Sequence, residues 1–245
     1  MVNCLLVLLA VSLVFSFSFQ HLAMVRKRPL QWSSLNAYRQ LYLQGWLRTI
    51  ALSVAALVCS TLMGLCAALA QSNGFLPLRY LAKIYVELVR GTPLLVQILI
   101  FYYVVADAFG LENRYLVGFL TLSFFSGAYI SEIIRAGIES IGRSQWESAR
   151  AIGLTRAQTY RYVIFPQALR QTLPPLAGQF VSLIKDSSLL SIIGVNELTY
   201  NAENTNAMIY NSLECYLPLA LGYLILTLPI SLWTRSLEQR HHFHT

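Results

Sequence analysis

Apolar residues run in six long stretches divided by shorter polar segments, at approximately 3–24, 46–71, 92–111, 115–135, 174–195 and 215–234. Each holds about twenty residues, the length at which a helix crosses the hydrocarbon layer of a bilayer. None alternates apolar and polar positions with period two, so the pattern excludes a β-barrel. It predicts an all-α, polytopic transmembrane bundle with five core spans and an additional N-terminal helix.

The polar segments then orient the spans. Segment 136–172 carries Arg143, Arg150, Arg156, Arg161 and Arg170 against Glu139 and Glu147, and segment 72–91 carries Arg79, Lys83 and Arg90 against Glu87. The C-terminal tail adds Arg235 and Arg240, whereas 196–214 holds Glu197, Glu203 and Glu214 with no Lys or Arg. Excess Lys and Arg marks the cytoplasmic side. The last five spans obey that rule, with both basic segments and the C-terminus inside. The first stretch does not, because a full crossing at 3–24 leaves Arg26, Lys27, Arg28 and Arg39 outside. A cleaved signal peptide, an interfacial helix and an extra span overruled by the five behind it all fit. The extra span is favoured, since the uncharged start and the lack of an A-x-A site argue against cleavage.

Composition agrees. Of 245 residues, 56% are hydrophobic and 12% charged, where a soluble domain carries about a quarter charged. The net charge of +7 forms no basic stripe with interleaved aromatics, so no nucleic-acid partner is expected and lipid is the expected surroundings. Cys4, Cys59, Cys66 and Cys215 are scattered through apolar stretches without metal-ligand or disulfide spacing. There is no phosphate-binding loop, nucleophile elbow or zinc-protease pair. The tail histidines His241, His242 and His244 read as a solvated end. The chain is therefore not expected to be an enzyme or to hold a metal.

Charges within spans carry more information. Glu132 lies late in the fourth stretch, and Lys185 and Asp186 lie mid-way along the fifth. Each costs about 2.5–3.5 kcal/mol at a helix centre, so each must face protein, a partner or water. One reading is a buried pair, Lys185 neutralising Asp186 or Glu132. The other is a polar cavity whose carboxylates meet an ammonium or guanidinium, with Ser187, Ser188 and Tyr129 orienting it. In Arg90-Gly-Thr-Pro-Leu-Leu-Val-Gln97, Gly91 and Pro93 break the helix at the mouth of a span. Thr92 and Gln97 then line a cavity, unless Pro93 merely opens a helix at its first turn.

The long basic segment has its own punctuation. Glu147–Ile152 reads as a short helix stopped by Gly153, and Thr155 caps a second from about 156 to 165, ended by Pro166. Two short helices at an angle make a knob for a groove on another protein, or else a plain amphipathic surface loop.

At this segment the chain resembles the permease subunits of bacterial ABC importers, whose E-A-A signature appears as Glu147-Ser148-Ala149, Gly153, Val163 and Phe165-Pro166. Ser148, Val163 and Phe165 depart from the pattern with small or apolar replacements. Glu87–Gln97, Ala128–Arg135 and Lys185-Asp-Ser-Ser-Leu resemble the polar amino acid branch of that family, over residues 42–240. The resemblance implies a type I importer permease domain at 42–240, with a leading helix and basic linker at 1–41 and a tail at 241–245. Its coupling loop is 136–172. The implied protein is multi-pass in a bacterial inner membrane and paired with itself or a paralogue. A cytoplasmic ABC ATPase dimer and a periplasmic solute-binding protein serve it, with ATP and magnesium held by the ATPase and no cofactor in this chain. The resemblance gives Glu147, Ala149, Gly153 and Pro166 the ATPase-coupling role. Thr92, Gln97, Tyr129, Glu132, Asp186 and Ser187 are the expected substrate path. A gradient-driven secondary transporter relaying ions through Glu132, Lys185 and Asp186 is the alternative, though no internal symmetry supports it. A non-transporting membrane scaffold is a third reading, and the loop signature argues against both.

Overall fold

The computed structural model describes residues 12, 13, 16 and 32–241. The first apolar stretch falls almost wholly outside the described residues, as do Arg26, Lys27, Arg28 and the tail beyond His241. The chain divides into a leading unit, residues 1–37, and a main unit, residues 38–245. The short helix α1 (Trp32–Asn36) belongs to the first.

The main unit consists of helices joined by short turns and loops, without a strand among its described residues. It comprises α2 (Arg39–Gln71), α3 (Leu76–Arg90), α4 (Leu94–Ile100, continued by a wider turn over Phe101–Ala106) and α5 (Arg114–Glu139). There follow α6 (Arg143–Ala151), α7 (Arg156–Thr159, widened over Tyr160–Ile164) and α8 (Phe165–Asp186, tightened to a 3₁₀ helix over Ser187–Ile193). The last are α9 (Leu198–Ile209) and α10 (Ser212–His241). Among the described residues four stretches are long and apolar enough to cross a membrane: Arg39–Gln71, Arg114–Glu139, Arg156–Ile193 and Ser212–Ser236. The pair α3 and α4, bent by 109° at its break, makes a fifth if counted as one broken span.

The most extensive pairing is α2 against α5, and small residues explain it. The buried side of α2 is Gly45, Thr49, Ser53, Ala56, Ser60, Gly64, Ala67, Ala68 and Gln71, repeating every three or four positions. Lipid tails are as apolar as leucine, so helices associate there through close backbone packing and hydrogen bonds. Gly64 shows how close the approach is. A Cβ there would lie 2.7 Å from Ile130 Cγ2 and 2.9 Å from the Gly127 carbonyl. Around this seam Ile98, Leu122, Leu183, Leu190 and Val195 are wholly buried.

Three segments depart from the sequence expectation. Residues 72–91 are not a loop but largely the helix α3, because Pro77 starts it and Ala82, Val86 and Val89 recur on one face. Segment 196–214 contains α9. Pro166 does not end the second knob helix, which runs on as a single stretch to Ile193. The reason lies just before it. The Phe165 amide donates to Tyr160, five residues back, and this widened turn relieves the clash between a proline ring and the preceding turn.

The helices assemble with two distinguishable ends. At one, Arg79 and Lys83 of α3 share a cavity with Glu139 at the end of α5. At the other, Arg48 donates to the Asn196 carbonyl (3.2 Å) and Arg114 to that of Gly194 (3.0 Å). The two basic segments thus lie together, away from the acidic one.

Candidate functional site

The break between α3 and α4 is built by its own residues. Gly91 ends α3, and Pro93, which lacks an amide hydrogen, starts α4 in an extended conformation. The carbonyls freed at the break are then collected by Gln97, whose Nε2 donates to Val89 O (2.8 Å), Thr92 O (3.2 Å) and Thr92 Oγ1 (2.8 Å). Thr92 Oγ1 donates in turn to Leu88 O at 2.9 Å. Gln97 is only 7% exposed, and its amide oxygen is buried without a hydrogen-bond partner among the described residues. The structure therefore brings Thr92 and Gln97 together at an actual break. Pro93 also stands at the head of α4, so both sequence alternatives describe part of what is found.

Beside the break lies an ionic ladder. Glu132 accepts from Arg135 Nε (3.0 Å) and Nη2 (2.8 Å), and Arg90 Nη1 reaches it from α3 at 3.2 Å. Arg135 spans one turn further to Glu139 at 2.6 Å. The Arg90 guanidinium also sits 5.7 Å from the Tyr129 ring centre, within cation–π range. Two cations thus neutralise Glu132, and Lys185 pairs with neither Glu132 nor Asp186 among the described residues. Spacing placed Arg90 and Arg135 in the quoted motifs but did not name them as the partners of Glu132.

Asp186 and Ser187 mark the point where α8 tightens into its 3₁₀ continuation. Ser187 is wholly buried and donates to Ile184 O at 2.7 Å; Asp186 is half-buried and Lys185 exposed. The polar residues therefore fall in two places, with Thr92, Gln97, Tyr129 and Glu132 around the break and Asp186 and Ser187 at the helix transition.

At Gly153 and Thr155 the basic segment folds as its punctuation predicts; only the stop at Pro166 is absent. Gly153 has φ +81°, and its amide donates to Arg150 O while that of Leu154 donates to Ala149 O. This double bond closes α6 in a left-handed turn that favours glycine. Thr155 caps α7 in a reciprocal box with Gln158. Ile141, Ile164 and Ala168 form a small separate core, packed by Ile138, Trp146 and Val163. Trp146 and Tyr160 meet edge to face at 4.9 Å. Ala149 is buried in the knob, whereas Glu147, Ile152, Gly153, Tyr162, Phe165 and Pro166 are exposed. A surface that sets exposed Ile152, Tyr162 and Phe165 among charged side chains, standing on its own core, suits insertion into a groove.

Sequence reasoning used Glu197 only as a charge of the acidic segment and missed its burial. Glu197 is wholly buried between the spans and accepts from the Thr199 and Tyr200 amides (2.8 and 2.7 Å) and from Tyr223 Oη (2.9 Å). It caps α9, and Thr49 of α2 also donates to it at 3.4 Å. Burial nevertheless outweighs these donors and pushes its carboxyl up to about 7. Glutamate is not a favoured capping residue, so no local signal announces it.

Residues 60–242 match the family of the binding-protein-dependent transport system inner membrane component. The glutamine transport system permease protein of Escherichia coli is 37% identical over 211 residues, covering 85% of this chain and 96% of that one. The L-cystine transport system permease protein of Bacillus subtilis is 39% identical over 194 residues, covering 78% and 82%. A crystal structure of an amino acid ABC transporter with histidines superposes with a TM-score of 0.82 at 36% identity, over 87% of this chain and all of that one. The MetNI methionine ABC transporter shares the fold, with a TM-score of 0.70 at 17% identity. The chain belongs to the binding-protein-dependent transport permease family and has the type I importer permease fold.

Proposed function

We propose that this chain forms the translocation path of an ATP-driven importer for polar amino acids, pairs with itself or a paralogue, and is driven by a separate ABC ATPase dimer. The observation that carries the reading is the knob at 143–168: two short helices closed by Gly153 and Thr155, exposing Glu147 and Ile152 above a core of their own. Glu147, Ala149, Gly153 and Pro166 have the coupling role. The basic segments face the cytoplasm, the C-terminus with them, and the end bearing Arg48, Arg114 and α9 faces a solute-binding protein outside.

Coupling runs through rigid helix. Movement of the knob by the ATPase is carried along α5, which enters the knob through Ser140–Gly142 and bears Glu132 and Glu139 on the turns before it. Glu132 in turn holds Arg90, the last residue of α3 before the break. A shift of α5 therefore bears on the α3–α4 bend, where a change of angle opens or closes the path. Thr92, Gln97, Tyr129, Glu132, Asp186 and Ser187 serve that path.

The test is reconstitution with an ABC ATPase and a solute-binding protein from the same organism, followed by ATP-driven uptake of labelled glutamine, cystine, histidine and arginine. Uptake of at least one, lost on omitting ATPase or binding protein, is expected. Gradient-driven uptake by the chain alone would overturn the reading.

A further inference from the structure

We propose that α3 lies in the cytoplasmic interface of the membrane and holds the phosphodiester of an anionic phospholipid between Arg79 and Lys83. The orientation rests on the reading above; the site itself rests on the helix.

At about 100° per residue, the side chains of α3 sort into three arcs. Ala82, Val86 and Val89 are buried against the bundle, where Tyr85 Oη donates to Phe124 O of α5 at 2.6 Å. Leu81, Ile84 and Leu88 form a second arc, exposed by 64%, 53% and 64%. Arg79, Lys83 and Glu87 form the third. They line a cavity of ≈ 460 Å³ closed by Gln71 and Ser72 of α2 and by the Glu132–Arg135–Glu139 ladder. Because the chain turns by 109° into α4, a near-upright α4 leaves α3 close to the membrane plane. A helix in that plane puts its apolar arc among acyl chains and its cations at phosphate level.

The charges identify the occupant. Arg135 is engaged by Glu132 and Glu139, and Arg90 by Glu132, whereas the side chains of Arg79 and Lys83 have neither ion pair nor hydrogen bond among the described residues. They stand one turn apart and face the same cavity, beside an exposed apolar arc. A second copy of this chain would bring the same two cations into contact with them. A phospholipid instead supplies acyl chains for Leu81, Ile84 and Leu88 and a phosphate for Arg79 and Lys83. Glu87 at the cavity edge disfavours a multiply charged anion and accepts a hydrogen bond from a hydroxylated headgroup. Phosphatidylglycerol has that chemistry.

The permease, purified with its ATPase, is placed in phosphatidylcholine nanodiscs containing phosphatidylglycerol. Lipid retained after transfer to detergent is quantified by mass spectrometry. Wild type should retain phosphatidylglycerol over phosphatidylcholine, and Arg79→Gln/Lys83→Gln should lower that preference about tenfold or more, each cation near an anionic surface contributing about 1 kcal/mol. Arg79→Lys/Lys83→Arg should restore it, which separates lost charge from lost fold, and Arg235→Gln, an exposed cation of α10 outside the knob, should leave it unchanged. Equal preference in wild type and the neutralised variant would overturn the site, as would an equal loss in the Arg235 variant. Displacement of the lipid by inorganic phosphate would make it a soluble-anion site and also overturn the proposal. The measurement uses no ATP or amino acid, so a failure of uptake with lipid retention intact rejects the transport reading alone.

Discussion

Arg90 on α3 stands 3.2 Å from Glu132 on α5, so the residue that precedes the helix break is tied to the helix that enters the knob. Both side chains are partly open to solvent, and such pairs contribute little to stability, up to about 1 kcal/mol. The pair should matter more for coupling than for folding. Arg90→Gln and Glu132→Gln are each expected to lower ATP-driven uptake several-fold with a small change in melting temperature. The double variant should be no worse than the poorer single one. Additive losses of uptake would show that the two residues act independently.

Gln97 gathers the carbonyls that the break sets free. In Gln97→Ala the Val89 and Thr92 carbonyls lose their donor in a buried setting, which should cost about 1–3 kcal/mol. Thr92→Val keeps the Gln97 bonds to both carbonyls and should cost less. Thermal unfolding in detergent checks the ranking, and a Thr92 variant less stable than the Gln97 variant would contradict it.

Gly153 has open space around it, so its requirement is conformational rather than steric. Gly153→Ala should cost about 1–2 kcal/mol for a left-handed residue and uncouple ATP hydrolysis from uptake. Gly153→Asn, which tolerates that conformation better, should recover much of the stability. If it recovers uptake as well, the turn's shape is what the ATPase reads; if only stability returns, the bare surface at 153 matters too.

Burial of Glu197 should give the protein a pH-dependent stability. Its carboxyl sits at about 7 against an ordinary 4.5. Between those values the folded chain keeps a proton that the unfolded chain releases, so stability is fullest below 4.5 and falls as pH rises towards 7. Glu197→Gln should flatten the dependence of melting temperature over that window. Glu197→Ala, without a capping acceptor, should lose about 0.5–2 kcal/mol. An unaltered pH profile in the glutamine variant would assign the response elsewhere.

Gly64 fixes the distance between α2 and α5. Gly64→Val drives a side chain into Ile130 and the Gly127 carbonyl and should cost about 1–3 kcal/mol, as overpacking does. Gly74→Ala, where nothing lies within 4 Å, should have little effect on the same melting curve.

The sequence by itself determined the helical class, four of the spans and the grouping of the basic segments. It also determined the punctuation of the knob at Gly153 and Thr155. These follow from local rules: apolar run length, the sign of charge between runs, and backbone preferences of single residues. Tertiary structure alone decided that Glu132 pairs with Arg90 rather than Lys185, and that Gln97 closes the break. It also decided that Glu197 is buried against Thr49, 148 positions away in the chain. Those contacts depend on how the helices cross, and the crossing is set by small residues such as Gly64 whose partners lie on another helix. Pro166 shows the same limit within one element. A proline reads as a stop until a widened turn, visible only in the backbone, carries the helix past it.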